Sequence, residues 1–324
     1  MKAAIYTQYG PPDVVEVREV EAPAPNDDEV LVKVRAASIN PLDWHYMRGK
    51  PNFMRLMTGL RKPKRTGLGV DVAGQVESAG KNVKEFGAGD EVFGNCRGAL
   101  AEYACAKESA LTRKPKNVTF EQAAATPVAA LTALQGLRDS GRIQAGQAVL
   151  INGASGGVGT FAVQIAKWFG AEVTGVCSSR NLEMVRGLGA DRVVDYIRED
   201  FTTGGQRFHL ILDLVGNHSP RALRRVLEPR GIYVGSGGGG PDTSGLAMLA
   251  GMAQMMLYSV FVRERLVTFL TRPNKKDLET IGELVGSGSV RPVVDRCFGL
   301  SEAAEAIRYL EGGHARGKVV VGVG

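Results

Sequence analysis

Residues 147–180, QAVLINGASGGVGTFAVQIAKWFGAEVTGVCSSR, decide the fold of this chain. An apolar run at 149–151 leads into a glycine-rich corner, and a second apolar run at 173–176 follows a segment of helical period. In that segment apolar residues recur at steps of three and four, so one face of the helix is apolar along its length. The stretch therefore predicts a βαβ unit whose helix buries two parallel strands.

The corner at residues 153–159 reads GASGGVG, a variant of the dinucleotide-binding fingerprint. Gly156 would let the backbone approach a pyrophosphate, and Gly159 would let the helix pack closely on the strand. The N–H groups at the helix start would face the phosphates. The motif follows a strand and opens a helix, as it must. The corner predicts dinucleotide binding, with a glycine-rich turn that binds nothing as the alternative.

The tip of the second strand selects the cofactor. NAD-preferring sites place Asp or Glu there to bind the ribose 2′-hydroxyl. This chain instead has Cys177, Ser178, Ser179 and Arg180. Two hydroxyls and a guanidinium can hold a 2′-phosphate that a carboxylate would repel. The tip predicts NADPH, and an ordinary strand-to-helix turn is the alternative.

The composition is that of a globular enzyme large enough for two domains. Its 324 residues are 44% apolar and 23% charged. The four cysteines show no paired spacing, which argues against a disulfide framework or a Cys-x-x-Cys metal site and favours a reducing, cytoplasmic location. The chain starts with strand-like sequence, so no signal or transit peptide is expected.

Two segments raise the question of a membrane. The apolar stretch at 246–262 is short for a span and is interrupted by polar residues, so a buried helix or a substrate-cavity wall is favoured. The segment 48–65 has seven basic residues and no acidic one. It could attract an anionic cofactor, a substrate or a lipid surface, although a solvated loop is the favoured interpretation. No membrane span is expected, peripheral membrane contact stays open, and nothing here indicates a nucleic-acid-binding module.

The order of elements indicates two kinds of domain. Residues 1–115 read as short strands, with the period-two alternation clearest at 30–36, and predict a barrel-like antiparallel domain. Thr119 and Gln122 predict a capping box, Pro127 interrupts the helix that follows, and Ser301 is expected to cap a late helix. A doubly wound parallel α/β sheet is predicted from strands at 147–152, 173–176, 192–195, 209–214, 232–235 and 266–270.

Six motifs spread over the chain carry a resemblance to a known family: AASINPLDW (36–44), GLGVDVAGQV (67–76), GDEVFG (89–94), INGASGGVGTFAVQIAK (151–167), LGADRVVDY (188–196) and GGHARGKVVV (312–321). In them the chain resembles the medium-chain dehydrogenase/reductase superfamily. Within it, the zinc-independent quinone oxidoreductase branch is most similar, with its reticulon-4-interacting-protein-like and enone-reductase-like members. The resemblance implies a Rossmann-type NADP-binding domain (124–271) inserted in a GroES-like, β-rich catalytic domain (1–123 and 272–324), and a homodimer through the last Rossmann strand, near 265–270.

The resemblance also bears on catalysis. Zinc-dependent relatives have a Cys in the motif that starts here at Asn40, and a Gly-His-Glu where this chain has Gly69, Val70 and Asp71, so no zinc is expected. By resemblance Asn40 would lie beside the nicotinamide and the substrate oxygen, with Asp43 behind it. Tyr46 is either the proton donor or an aromatic wall with solvent as the proton source. Two further aromatic residues are expected in the substrate pocket: Trp44 and Phe53.

The cofactor contacts that the resemblance implies fall into five groups. They are Ser155, Gly156, Gly157 and Val158 at the pyrophosphate; Ser178, Ser179 and Arg180 at the 2′-phosphate; Tyr196 at the adenosine; Val215, Gly216, Gly235 and Ser236 at the nicotinamide; and His314, Ala315 and Arg316 in a closing loop. Packing alone would also explain the tyrosine, and strand-end turns would explain Gly216 and Gly235. No shared ligand spacing makes a histidine a metal ligand.

Together these features predict an NADPH-dependent oxidoreductase that transfers hydride to quinones or α,β-unsaturated carbonyls. A ketone or aldehyde reductase is the alternative enzyme, disfavoured because such relatives commonly use the zinc that is not expected here. A non-catalytic NADPH-binding protein, RNA-binding or crystallin-like, is the alternative of another class. The basic segment 48–65 is its only support.

Overall fold

The structure, a computed structural model, describes residues 1–236 and 263–324, and the apolar stretch 246–262 lies outside the described residues. The chain divides into two compact units. The first unit comprises residues 1–131, 272–288 and 292–324, and the second comprises residues 132–271 and 289–291. Both chain ends therefore belong to the first unit.

The described residues form strands and helices in the following order. The strands are β1 (Lys2–Tyr6), β2 (Val15–Glu19), β3 (Glu29–Ile39), β4 (Asp71–Ala79), β5 (Glu91–Asn95), β6 (Tyr103–Lys107), β7 (Leu111–Arg113), β8 (Ala148–Asn152), β9 (Glu172–Cys177), β10 (Arg192–Asp195), β11 (Phe208–Asp213), β12 (Leu227–Gly235), β13 (Arg265–Thr268), β14 (Val294–Gly299) and β15 (Lys318–Gly322). The α-helices are α1 (Pro41–Arg48), α2 (Arg55–Thr58), α3 (Phe120–Ala124), α4 (Pro127–Gln135), α5 (Gly157–Trp168), α6 (Leu182–Gly187), α7 (Pro220–Val226), α8 (Lys275–Gly286) and α9 (Ala303–Glu311).

The first unit is built on a seven-stranded sheet in the order β14-β15-β3-β4-β5-β7, with β6 also paired to β3. The predicted alternation holds at Val30, Val32 and Val34, which are buried, but from Ala36 to Ile39 every residue is buried. The reason is that Ala36 packs with residues of α3 on one face while Ala37 and Ile39 pack in the main core on the other. The strand β15 pairs with β3, so residues from both chain ends form one sheet.

The second unit contains a six-stranded sheet in the order β10-β9-β8-β11-β12-β13, and all five strand pairs are parallel. This confirms the doubly wound fold. The strand order reverses between β8 and β11, and in such sheets ligands bind outside the carboxyl ends of the strands at that point. β12 starts at Leu227, earlier than predicted. Its register against β11 shifts between Leu227 and Ile232, where Arg230 has a positive φ, and the predicted run is the regular part that follows this irregularity.

Two helix starts test the predicted caps. The capping box of Thr119 and Gln122 is confirmed at the start of α3. The prediction that Ser301 caps the late helix is wrong. The chain first makes a 3-10 turn at Leu300–Glu302, where Glu302 accepts from the backbone N–H of Gly299, and α9 begins only at Ala303. Among the described residues, no helix has the length and apolar character that crossing a bilayer requires.

Candidate active site

The glycine corner joins β8 to α5 at the carboxyl edge of the parallel sheet. A Cβ atom on Gly159 would lie 2.1 Å from the carbonyl oxygen of Gly153, so only glycine lets the helix approach this closely. A Cβ on Gly156 would have one neighbour, the same oxygen at 3.5 Å, and would otherwise point into open space. Gly156 is the N-cap and has no side chain to cap the first N–H groups of α5. The corner thus leaves room for a phosphate group beside helix-start N–H groups that no side chain among the described residues caps.

A residue that the sequence did not single out ties the corner to the strand tip. The buried Asn181 amide donates to the hydroxyl of Ser155 over 3.0 Å and to that of Ser178 over 3.2 Å. Its carbonyl oxygen is buried without a hydrogen-bond partner among the described residues. A buried orphan acceptor between two predicted cofactor contacts indicates that a ligand donor completes the site. The corner, the two serines and the orphan acceptor therefore fit a dinucleotide.

The strand tip contains a carboxylate that the linear sequence hides. Asp195 ends β10 and lies beside Cys177, the last residue of β9. Its carboxylate accepts from the Ser179 hydroxyl over 2.5 Å and from the backbone N–H of Ile197 over 3.1 Å. The hydrogen bond from Ser179 holds the pKa of Asp195 below its ordinary range. The residues of β9 supply no carboxylate at the strand tip, but the fold places the Asp195 carboxylate there, and the expectation of a tip without acid is wrong. The Ser179 hydroxyl, predicted to contact the 2′-phosphate, already donates to Asp195.

The predicted nicotinamide contacts gather at the ends of β11 and β12. The Asp213 carboxylate accepts from the backbone N–H groups of Val215 (3.0 Å) and Gly216 (2.9 Å) and from the buried Tyr233 hydroxyl (3.1 Å). The backbone N–H of Ser236 donates to the backbone carbonyl oxygen of Asp213 over 3.0 Å. Gly216 has φ of 72° and Gly235 ends β12. Asp213, which the sequence analysis missed, is thus the acceptor that organises this edge of the sheet.

The remaining predicted cofactor contacts are Tyr196 in the second unit and residues 314–316 in the first. Tyr196 follows β10, and 59% of its surface is exposed. The turn that holds His314, Ala315 and Arg316 belongs to the first unit and precedes β15. Its conformation is fixed because the backbone N–H of Arg316 donates to the Asp295 carboxylate over 2.9 Å. Asp295 also accepts from the Tyr309 hydroxyl over 2.7 Å.

The first unit contains a buried polar cluster where three neighbouring strands, β15, β3 and β4, bring distant residues together. Asn40 follows β3, Asp71 opens β4 and Lys318 opens β15, and all three are buried. The Lys318 ammonium donates to the Asn40 side-chain carbonyl over 2.6 Å and to the Ile39 carbonyl over 3.1 Å. It lies 3.5 Å from the Asp71 carboxylate. Asn40 donates its amide N–H to the same carboxylate over 2.8 Å.

These contacts fix the orientation of the Asn40 amide. Its oxygen faces a donor, Lys318, and its nitrogen faces an acceptor, Asp71, so the reversed amide would place like groups together. The amide nitrogen carries two hydrogens, and one of them has no acceptor among the described residues. Asn40 also stands at the N-cap of α1 but does not use its side chain to cap the helix. The result is a held donor with one N–H left for a ligand.

Asp71 is the acceptor at the centre of the cluster. Besides Asn40 and Lys318, it accepts from the Ser38 hydroxyl (3.0 Å), the Asn95 amide (2.9 Å) and the backbone N–H of Val128 (3.0 Å). Burial raises the pKa of Asp71, while the neighbouring Lys318 ammonium opposes that shift. Burial lowers the pKa of Lys318, and here Asp71 opposes the shift. The ion pair therefore lessens the desolvation cost of both groups.

Asp43 holds the backbone at Asn40 in place through hydrogen bonds. Its carboxylate accepts from the backbone N–H of Asn40 over 2.8 Å and from that of Gly69 over 3.0 Å, so it ties the start of α1 to the segment before β4. Burial raises the pKa of Asp43 to about 6, although these two hydrogen bonds oppose the shift. Asp43 therefore positions the loop that carries Asn40, and its charge is sensitive to pH near neutrality.

The predicted aromatic residues differ in their surroundings. Trp44 is buried in the main core, where it stacks on His45 with ring centroids 3.7 Å apart, and offers little surface to a ligand. Tyr46 is half-buried, and 45% of Phe53 is exposed. Tyr6, which the sequence did not single out, is buried with Asp43 and Tyr46 nearby, and burial raises its pKa to about 12.

The cluster does not fit a zinc ion. Val70 has no ligating atom, and both oxygens of Asp71 already accept hydrogen bonds beside the Lys318 ammonium. The buried Cys96 thiol lies near this carboxylate, and burial raises its pKa, which disfavours the thiolate that binds metal. Within residues 1–236 and 263–324 no three His, Cys, Asp or Glu side chains are grouped so as to hold a metal ion.

The raised pKa of Asp43 predicts a stability that depends on pH. Because its folded-state pKa of about 6 exceeds the ordinary value of 3.8, its contribution is full below about pH 4 and is lost as the pH rises through 6. From about pH 4 to about pH 7 we expect the free energy of unfolding to fall by about 3 kcal/mol relative to Asp43→Asn, which does not titrate. Urea unfolding of both proteins across this range measures the difference, and a constant difference would contradict the prediction.

Two protein-family models and several known proteins match this chain. The model of the alcohol dehydrogenase GroES-like domain matches residues 26–116, and that of the zinc-binding dehydrogenase matches residues 188–321. The chain is 35% identical to a quinone-oxidoreductase homolog of Spinacia oleracea, over 99% of this chain and 98% of the relative. It is 34% identical to an NADPH-dependent alkenal/one oxidoreductase of Arabidopsis thaliana, over 99% of this chain and 79% of the relative.

A solved structure agrees with these relatives. The quinone oxidoreductase of Coxiella burnetii superposes with a TM-score of 0.85 and 32% identity, covering 100% of this chain and 99% of that one. The similarity therefore extends over both units of the chain.

Proposed function

The chain belongs to the medium-chain dehydrogenase/reductase superfamily, in its quinone oxidoreductase branch, and from this membership we propose that it is an NADPH-dependent reductase of quinones or α,β-unsaturated carbonyls. The observation that carries the proposal is the oriented Asn40 amide. It stands, with a buried ammonium behind it, where zinc-dependent relatives would have a metal ligand. We propose that catalysis proceeds without zinc.

The second unit would hold the cofactor. The free N–H groups at the start of α5 and the space beside Gly156 suit a pyrophosphate, and Ser178 and Arg180 suit a 2′-phosphate. When bound, NADPH supplies the hydride that reduces the substrate. The relative named for NADPH supports this choice over NADH, although Asp195 stands nearer to the tip than the sequence indicated.

The first unit would bind the substrate oxygen. Hydride addition to an enone or quinone places negative charge on that oxygen, and an N–H donor already in position stabilises the charge. The remaining N–H of Asn40 is such a donor. The Lys318 ammonium polarises the amide by binding its oxygen, which strengthens the donation from its nitrogen. The proton that completes the reduction would come either from the Tyr46 hydroxyl or from solvent.

The proposal is tested by following NADPH oxidation with matched substrates. We expect turnover with quinones, enones and enals that have a conjugated double bond, and much less with saturated aldehydes and ketones of the same length. A metal chelator should leave the rate unchanged. Turnover of saturated aldehydes alone would replace the proposal by carbonyl reduction, and no turnover with any acceptor would favour a binding protein.

The cofactor preference is tested at Arg180. We expect Arg180→Ala to weaken NADPH binding about 10- to 100-fold and NADH binding much less, because only NADPH has the 2′-phosphate. The Arg198 guanidinium lies 3.6 Å from the Asp195 carboxylate, so Arg198→Ala is the control for a general change of charge at the tip. Binding is measured by fluorescence titration with each nucleotide. Equal losses for both nucleotides would contradict the assignment.

We also propose a homodimer that joins through β13. This strand lies at the end of the parallel sheet and pairs, among the described strands, with β12 alone. An unpaired edge strand is a surface that another chain can extend. Light scattering after size exclusion should give twice the mass of the chain, and a monomer mass at micromolar concentration would contradict it. The cytoplasmic location stays a prediction, supported by the four cysteines, which are all free.

A further inference from the structure

The first unit exposes a cluster of apolar side chains within residues 52–60, which is called the apolar tip. It consists of Phe53, Leu56, Met57 and Leu60, whose exposed fractions are 45%, 71%, 84% and 68%. Of the eleven exposed large apolar side chains in the described residues, these four lie within eight consecutive positions. Such a concentration of exposed apolar surface marks an interaction site.

The tip is held in place by polar contacts on its inner side. The Tyr9 hydroxyl is hydrogen-bonded to the Thr58 hydroxyl over 2.8 Å and to the Gly59 carbonyl over 2.7 Å. The Arg55 guanidinium lies 4.6 Å from the centre of the Tyr9 ring and donates to the Gly49 carbonyl over 3.1 Å. The turn at Gly59, with φ of 121°, is one that other residues rarely adopt. These contacts tie the segment to the first unit, while its four apolar side chains stay exposed.

Basic residues flank the apolar tip along the chain, and the exposed ones are called the basic rim. Arg48 and Arg55 are engaged within the unit, the first with Glu311 and the second at Tyr9. The other five basic residues of the segment are exposed, and in the part of the chain that the structure describes they have no acidic partner: Lys50, Arg61, Lys62, Lys64 and Arg65. No acidic residue occurs between positions 48 and 65. The rim is therefore complementary to a negatively charged surface.

We propose that the apolar tip and the basic rim dock the protein on the surface of an anionic phospholipid bilayer. Leucine, methionine and phenylalanine side chains gain by entering the acyl boundary, and lysine and arginine gain by remaining at the headgroups. Nucleic acid fits less well, since Leu56, Met57 and Leu60 can neither stack on bases nor donate hydrogen bonds to phosphates. The docking is independent of the redox chemistry proposed above.

The proposal is tested with the full chain and sedimented vesicles of phosphatidylcholine, with or without phosphatidylserine. We expect binding to the anionic vesicles only, weakening as salt rises from about 0.1 M to about 1 M. Lys62→Gln with Lys64→Gln should lower the partition coefficient roughly 30-fold, since each basic residue contributes about fivefold near an anionic surface. Leu56→Ser with Met57→Ser should lower it at least about 10-fold by removing apolar insertion.

Matched pairs elsewhere on the surface provide the controls. Lys107→Gln with Lys116→Gln removes two exposed charges, and Ile197→Ser removes an apolar side chain that is 65% exposed. Both variants should bind vesicles like the unsubstituted chain. Absence of vesicle binding, equal binding to neutral vesicles, or equal losses in test and control variants would overturn the proposal. Salt-sensitive binding of single-stranded RNA by a chain that ignores vesicles would replace it by a nucleic-acid surface.

Discussion

Replacing Lys318 by methionine is expected to lower kcat about 100-fold in a protein that still folds. Methionine fills the space of the lysine stem but offers no donor to the Asn40 carbonyl oxygen. The amide can then rotate, and the N–H proposed to bind the substrate oxygen is no longer held in place. Removal of a positioned donor at a developing oxyanion typically costs about 10²- to 10³-fold. Because the donor acts mainly in the transition state, kcat should fall much more than KM changes.

The same substitution should destabilise the first unit. It leaves the Asp71 carboxylate buried without its ammonium partner, a loss of about 3–5 kcal/mol. Adding Asp71→Asn removes the unpaired charge but places an amide NH2 among the donors that Asp71 accepts, so the double variant should recover part of the stability without recovering kcat. That split separates a positioning role from a merely structural one, for which activity would follow stability.

A second buried lysine provides the control. Lys114 donates to the Pro115 and Val118 carbonyls and pairs with Glu91 at 3.1 Å, without contact to Asn40. Lys114→Met should therefore reduce the free energy of unfolding and leave kcat nearly unchanged at a temperature where the variant is folded. Urea unfolding and steady-state kinetics on both variants decide the matter. A folded Lys318→Met protein with normal kcat would contradict the proposed role of Lys318.

The fold could be predicted because its signals are local. Alternation in β3 and the strand–corner–helix order at 147–180 each arise within one or two elements, and the structure confirms both. The errors occur where tertiary contacts override a local pattern. Ser301 has the side chain of a helix cap, but Glu302 accepts from the backbone N–H of Gly299, residues 300–302 form a 3-10 turn, and the α-helix begins at Ala303. Arg230 adopts a positive φ that a single sequence does not reveal.

The candidate site was predictable only where its residues share a motif. Asn40, Asp43 and the glycines of the corner lie in short segments with recognisable spacing. Lys318 reaches Asn40 across 278 residues because β15 pairs with β3, and no spacing rule encodes that contact. The one available signal was a lysine opening an otherwise apolar strand, where burial demands a partner.

The strand tip shows the same limit for charge. The residues that follow β9 in the sequence are Ser178, Ser179 and Arg180, and none of them is acidic. The parallel register of β10 against β9 places Asp195 beside Cys177 and within 2.5 Å of the Ser179 hydroxyl. The neighbouring strand β10 thus places the Asp195 carboxylate at the end of β9. Selectivity for NADPH would then depend on whether Arg180 outweighs a carboxylate that is already hydrogen-bonded, which is what the Arg180→Ala comparison measures.

Replacing Gly159 or Gly156 of the corner by alanine should affect different properties: Gly159→Ala should lower stability, and Gly156→Ala should lower cofactor affinity. A methyl group on Gly159 would lie 2.1 Å from the Gly153 oxygen and 2.8 Å from backbone atoms of Ala154, so α5 must move away from β8. We expect a loss of about 3 kcal/mol in the free energy of unfolding. A methyl group on Gly156 meets only the Gly153 oxygen at 3.5 Å, and the backbone there, with φ of −82°, suits alanine. Its stability should change by less than about 1 kcal/mol.

Cofactor affinity should reverse that ranking. The space that the Gly156 methyl group fills is the space proposed for the pyrophosphate, so Gly156→Ala should weaken NADPH binding by about 100-fold in a fully stable protein. Gly187→Ala, in the open at the end of α6, is the control and should alter neither property. Urea unfolding and fluorescence titration with NADPH measure the two effects separately. Packing of the fold requires glycine at position 159 but leaves room for a methyl group at position 156. If Gly156→Ala bound NADPH normally, the space beside Gly156 would therefore not hold the pyrophosphate, and the corner would be a packing turn.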